Sequence, residues 1–237
     1  MWAVFLIIGL IIALLVVIVI AVSSSEQRNR GDFKDGGGKQ LGGNEKVPFF
    51  APQNERAGQI GENIINNHLR LLLRNDEYLL ANVLLPVNDK FKTEIDCILI
   101  SRKGIFCIEI KNWVGHIHGN DEDEQWLQVY DDPNMNDRRH KNPVKQNLNH
   151  CNILNRKLNN KYMIDNVVIL TGYDDIEQVH SKYAFSLFGF KSFYRIQTED
   201  ELTVEDMQRI YSKLSPYVAN EEQLKEHKEN VHKRYLN

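Results

Sequence analysis

Apolar positions fall into three regimes along the chain. Trp2 to Val22 is continuously apolar, broken only by Gly9. As a helix rising 1.5 Å per residue it matches the roughly 30 Å hydrocarbon core of a bilayer. Residues 23–54 are polar and Gly-rich, with Gly36-Gly37-Gly38 and Gly42-Gly43, which is the composition of a flexible tether. From Glu55 onward, periodic apolar segments signal a globular domain. A helix is predicted over 55–73, with Ile60, Ile64, Leu71 and Leu72 on its apolar face, then a strand over 78–87. The Ile-rich runs 95–100 and 105–113, parted by Ser101-Arg102-Lys103-Gly104, predict a β-hairpin. Residues 116–117 and 126–130 predict a second hairpin around the acidic stretch Asp121 to Glu124. Asn142-Pro143 supplies an N-cap and a first-turn proline for a helix to about Leu158 that buries Leu148, Ile153 and Leu154 or their neighbours. Strands over 167–170 and 185–188 follow. Thr203 with Asp206, and Leu202 with Met207, form the box and staple that start another helix, and a polar helix begins near Glu221. Helix, strands, helix, strand, helix is the order of an α/β domain built on a mixed sheet.

Charge sharpens the first regime. No charged side chain precedes Glu26, and Arg28, Arg30, Lys34 and Lys39 all follow the apolar run. A cleavable signal peptide would carry a basic start and a shorter apolar stretch, although Ala21-Val22-Ser23 resembles a cleavage site. The reading is therefore a single-pass membrane anchor, with the carboxy-terminal domain on the cytoplasmic side. Over the whole chain 29 Lys+Arg face 32 Asp+Glu, a net charge of −3, so a basic coat for nucleic acid is excluded and any such contact must be local. Cys97, Cys107 and Cys151 have no metal-ligand spacing and read as small core residues of a reducing compartment. His116 and His118 lack a third ligand in obvious reach and read as strand-edge residues.

The first hairpin contradicts its own burial pattern. Its apolar strands carry Asp96, Glu109 and Lys111, and a buried carboxylate needs a partner or a metal. Side chains alternate along a strand, so Glu109 and Lys111 share a face. With Ile100 opposite Ile105, Asp96 falls directly across from Glu109. Two carboxylates about 4 Å apart repel by roughly 4 kcal/mol at an effective dielectric near 20. A divalent cation with a taste for oxygen ligands, Mg2+ (or Mn2+), removes that repulsion, and Lys111 can then orient a water or offset charge on a phosphate. A structural ion-pair network is the alternative, but two acids and one base leave surplus negative charge.

Asp96 followed by Glu109-x-Lys111 resembles the signature of the PD-(D/E)XK nuclease superfamily. Gly61-Glu62 in the first helix, Gly104 to Lys111, Gly115 and Asn142-Pro143-Val144-Lys145-Gln146 together resemble the nuclease-related domain family, NERD, over residues 55–170. The resemblance implies a restriction-endonuclease-like mixed sheet flanked by helices; residues 171–237, outside the resemblance, read as an α/β completion of that domain with a polar terminal helix. It implies that Asp96 and Glu109 ligate the metal, that Lys111 is the catalytic lysine, that Glu62 assists the metal or its water, and that Gln146 positions substrate or water. Arg138, Arg139, His140, Lys141 and Lys145 form a local basic cluster, of which Arg138, Arg139, Lys141 and Lys145 are candidate phosphate contacts. The expected function is a membrane-anchored, metal-dependent nuclease acting on DNA in preference to RNA. The alternatives are a non-catalytic nucleic-acid- or protein-binding module tethered at the membrane, and a purely structural assembly domain.

Overall fold

The hairpin around Arg102-Lys103 lies at the centre of the computed structural model, which describes residues 53–172, 176, 178–199 and 201–235. The expected anchor and nearly all of the tether fall outside these residues. Among the described residues no helix is long and apolar enough to cross a membrane. In chain order the first elements are α1 (Gln53–Arg70), β1 (Tyr78–Pro86), β2 (Lys92–Ser101), β3 (Gly104–Lys111), β4 (His116–Asn120), β5 (Gln125–Val129), β6 (Arg138–Lys141) and α2 (Pro143–Lys157). There follow β7 (Ile164–Leu170), β8 (Val179–His180), β9 (Ala184–Ser186), α3 (Leu187–Ile196), α4 (Val204–Leu214), a 3-10 turn at Ser215–Tyr217 and α5 (Glu221–Tyr235).

The strands form two mixed sheets rather than the one expected. The larger has the order β1-β2-β3-β7-β9, the smaller β6-β5-β4-β8. In the larger sheet β1, β2 and β3 are antiparallel neighbours, whereas β3, β7 and β9 run parallel. Gly104, at φ 126, takes the backbone conformation that closes the two-residue Arg102-Lys103 turn. Alternation along β2 and β3 sends residues to two cores. Ile98, Ile100, Ile105 and Cys107 pack with Leu154 of α2 and with Met207 and Ile210 of α4. Cys97, Leu99, Phe106 and Ile108 pack with Ile65 and Leu69 of α1 and with Phe190 and Tyr194 of α3. Helices thus cover both faces of this sheet, so its central strands read as near-continuous apolar runs.

Several local expectations are corrected. Helix α1 begins at Gln53, inside the expected tether, and ends at Arg70. Its buried stripe is Ile65 and Leu69, with Ile64 and Leu71 exposed, because Gly61, Ile65 and Leu69 are the positions four apart that meet the sheet. Helix α2 leaves Leu148 exposed and buries Asn147 and His150 instead. The basic cluster Arg138 to Lys141 is strand β6, paired from Gln125↔Lys141 to Gln128↔Arg138. The aromatic run at 185–188 is a strand only to Ser186, whose side chain caps α3 by accepting from the Gly189 amide. The expected cap and staple at Thr203 are present: its hydroxyl accepts from the Asp206 amide, and Leu202 and Met207 are both buried; in place of the reciprocal box bond, the Thr203 hydroxyl donates to the Asp206 carboxylate.

Candidate active site

Two ladders break at Asp96. The β1–β2 register runs from Tyr78↔Ile100 to Pro86↔Lys92 but omits Asn82 and Asp96, where Asn82 swings to φ 56. The β2–β3 ladder ends at Cys97↔Ile108, while β3 continues beside β7 to Lys111↔Leu170. Strand β3 therefore leaves β2 just as Asp96 and Glu109 come into register, and the Ile110 amide, released from the ladder, donates to Asp96 Oδ2 at 2.8 Å. Irregular pairing of this kind re-aims side chains beside functional sites.

Glu109 is 3% exposed and held from two elements. Its Oε1 accepts from Lys111 Nζ at 2.6 Å and from Gln146 Nε2 at 2.7 Å. Gln146 comes from α2, whose first turn Asn142 caps by accepting from the amides of Val144 and Lys145. The same Asn142 donates through Nδ2 to the carbonyls of Asn120, Asp121 and Asp123, fixing the acidic β4–β5 tip to the helix. Fully buried Asn147 ties α2 to the sheet, with Nδ2 near the carbonyls of Cys107 and Val167 and Asn166 Oδ1. Glu62 approaches from α1, where Gly61 permits a tight seat: a Cβ there would lie 3.1 Å from the Asn112 side chain, just beyond β3.

The charges act on one another as a group. Burial, then Glu109 and Glu62, hold Asp96 well above the usual carboxylate range, although the Ile110 amide and Lys111 oppose this. For Glu109 burial acts upward, but His150 and Lys111 outweigh it and the net direction is down. Burial raises Glu62, with Lys228 of α5 the main opposing charge. Burial lowers Lys111, yet Glu109, Asp96 and Glu62 leave it above the ordinary lysine value. Lys111 is thus an ammonium at neutral pH, suited to stabilising negative charge rather than to accepting a proton.

A hard divalent cation fits this donor set. Glu109 Oε2 is buried with only His150 Nδ1 beside it, at 3.2 Å and poorly aligned, which leaves that oxygen a lone pair for a cation, and Asp96 adds a second carboxylate that its neighbours make costly to ionise. Among the described residues no group of three or more His, Cys, Asp or Glu side chains converges as a metal site, although Glu62 stands near enough to act on the charge of Asp96. Two carboxylates suit an ion such as Mg2+ that keeps several waters.

Arg139, Lys141, Lys145 and Gln146 line a cleft of about 720 Å3 with Asn142, Asn149, Gln125, Asp123 and Glu124. Gln146 connects this cleft to Glu109. Lys145 is engaged within it, donating to Glu124 Oε1 at 2.6 Å and to the Glu122 carbonyl. Arg138 is not among the lining residues and lies over the Tyr130 ring. Sequence reasoning missed His150, whose Nδ1 lies 3.2 Å from Glu109 Oε2, and Asn147. The available signal was confined to His150, four residues after Gln146 and so on the same helix face.

Comparison with known proteins supports a nuclease-related reading. An uncharacterized protein of Bacillus anthracis is 24% identical over 184 residues, covering 75% of this chain and 85% of that protein. No solved structure matches. Residues 57–171, which carry most of α1, the β2–β3 fork and α2, match the family model of the nuclease-related domain.

Proposed function

We propose that the chain is a metal-dependent nuclease that hydrolyses phosphodiester bonds of DNA in preference to RNA, on a restriction-endonuclease-like core. The observation that carries this reading is the fork itself: β3 leaves β2 beyond the Cys97–Ile108 pair, where Asp96 and Glu109 act on one another's charge, with Lys111 against Glu109 and Gln146 reaching in from α2. Asp96 and Glu109 would hold Mg2+ or Mn2+, which when bound supplies Lewis-acid polarisation of the phosphate and a more acidic water. Lys111, kept as an ammonium, offsets charge developing on the phosphoryl oxygens. Gln146 holds Glu109 through Nε2 and presents its remaining amide capacity toward the cleft, where it can orient substrate or water. Arg139 and Lys141 line that cleft and would position the backbone; Lys145 can join only by leaving Glu124. Arg138 would contact phosphate beyond the cleft. Glu62 would act on a metal-bound water from the α1 side. Residues 2–22 would anchor the enzyme in a membrane with the domain in the cytoplasm, as the apolar run and the basic residues after it favour.

The second reading, a binding module without turnover, draws on the chain's net charge of −3. Calorimetry with Mg2+ and Mn2+, paired with cleavage of labelled single- and double-stranded DNA and RNA, separates the two. Metal binding with cleavage abolished by EDTA supports the enzyme. A folded chain that binds nucleic acid but neither metal nor turns over is the module.

A further inference from the structure

The resemblance to nuclease-related domains assigns no role to one side of Glu109. Oε1 already accepts from Lys111 and Gln146. Oε2 faces His150 Nδ1 at 3.2 Å, and neither atom makes a well-aligned hydrogen bond elsewhere. Both residues are buried, Glu109 at 3% and His150 at 9% exposure. His150 stands four residues after Gln146 on α2, so the two side chains reach Glu109 from successive turns of one helix face. Asn147 between them pins that face to the Cys107 and Val167 carbonyls. A histidine turned inward on a helix with exposed Leu148 and Asn149 on its other side is a costly arrangement unless its ring nitrogen has a task.

We propose that His150 is a positioning residue for the metal carboxylate: its Nδ1–H holds Glu109 Oε2, fixing the rotamer in which Glu109 can share a cation with Asp96. This rests on the metal-site reading above. Partners that orient a ligating side chain are worth about 10–100-fold in metal affinity.

The test is an Mn2+ titration by calorimetry on the full chain, comparing wild type with His150→Leu, which fills similar volume without a donor, and His150→Asn, whose amide N–H sits near the place of Nδ1. His150→Ala replaces the leucine variant if that one overpacks and does not fold. The expected result is about 10–100-fold weaker binding in the donor-less variant, largely restored in His150→Asn. Wild-type affinity in His150→Leu or His150→Ala overturns the proposal. Equal weakening in His150→Asn also overturns it, because the ring would then act by shape alone. A wild-type chain that binds no Mn2+ overturns the metal-site reading itself, and this inference with it.

Discussion

Asp96 keeps its proton in the folded chain at pH values where the unfolded chain has released it, chiefly because it is buried and then because Glu109 and Glu62 stand near it. Folded protein therefore binds more protons than unfolded protein across that window, and the stability of the metal-free chain falls as pH rises through it. Glu109 works in the opposite sense and in a lower window, contributing stability that is lost as pH falls below the ordinary carboxylate range. Asp96→Asn, which can still accept from the Ile110 amide, should flatten the upper slope and raise the metal-free thermal midpoint at neutral pH while abolishing metal binding. Thermal melts from about pH 4 to 8 in EDTA check this, and an unchanged slope would contradict it. Lys111→Ala should cost about 1–3 kcal/mol in the same melts, since Glu109 retains Gln146 and His150 but is deprived of a charged partner. The carboxylates and lysine were legible in the sequence because charge in an apolar strand is anomalous and the two-residue turn set their register. His150 and Asn147 were not, because a polar residue on a helix reads as solvated until the sheet beneath is known to offer a carboxylate and free carbonyls.

At the scale of elements, the site depends on where two helices seat. Helix α1 approaches β3 through Gly61, so Gly61→Ala should push the helix outward by a few tenths of an ångström and displace Glu62. The expected outcome is a loss of turnover larger than the loss of stability, read from cleavage rates beside denaturant melts. Helix α2 is anchored by Asn142, which caps its start and binds three carbonyls of the β4–β5 tip. Asn142→Ala should cost about 1–3 kcal/mol and loosen Gln146, measurable as a lower urea midpoint with an unchanged slope. The cap and proline of α2 were visible in the sequence because Asn-Pro has a local meaning. Strand β6 was not, since an all-basic tetrapeptide looks like a solvated loop, and only its pairing to β5 reveals an edge strand whose charges guard it. Helix α3 was missed for a related reason: the early aromatics of 185–193 alternate like a strand, and the helical spacing of Phe190 and Tyr194 emerges only against α1 and Phe106.

Across the whole described domain, a net-negative chain presents a cleft of mixed charge in which Arg139 and Lys141 stand beside Gln146, the residue that reaches Glu109. If that cleft carries the substrate backbone, Arg139→Ala with Lys141→Ala should weaken nucleic-acid binding uniformly across sequences. The double change should also reduce the slope of log affinity against log salt by about 0.7–0.9 for each phosphate no longer neutralised. Lys145→Ala should do less, because Glu124 already engages that ammonium. Fluorescence anisotropy over a salt series reads both. That Asp96, Glu109 and Lys111 form a metal-dependent hydrolytic site is tested most directly by single-turnover cleavage of labelled DNA. The full chain in mild detergent is used with Mg2+, wild type and Lys111→Ala side by side. Metal-dependent cleavage is expected in wild type, with a loss of roughly 100-fold or more in the variant, the scale seen when one preorganised charge-stabilising group is removed. Equal rates in the two proteins, or metal-loaded wild type that leaves every substrate intact, would contradict it.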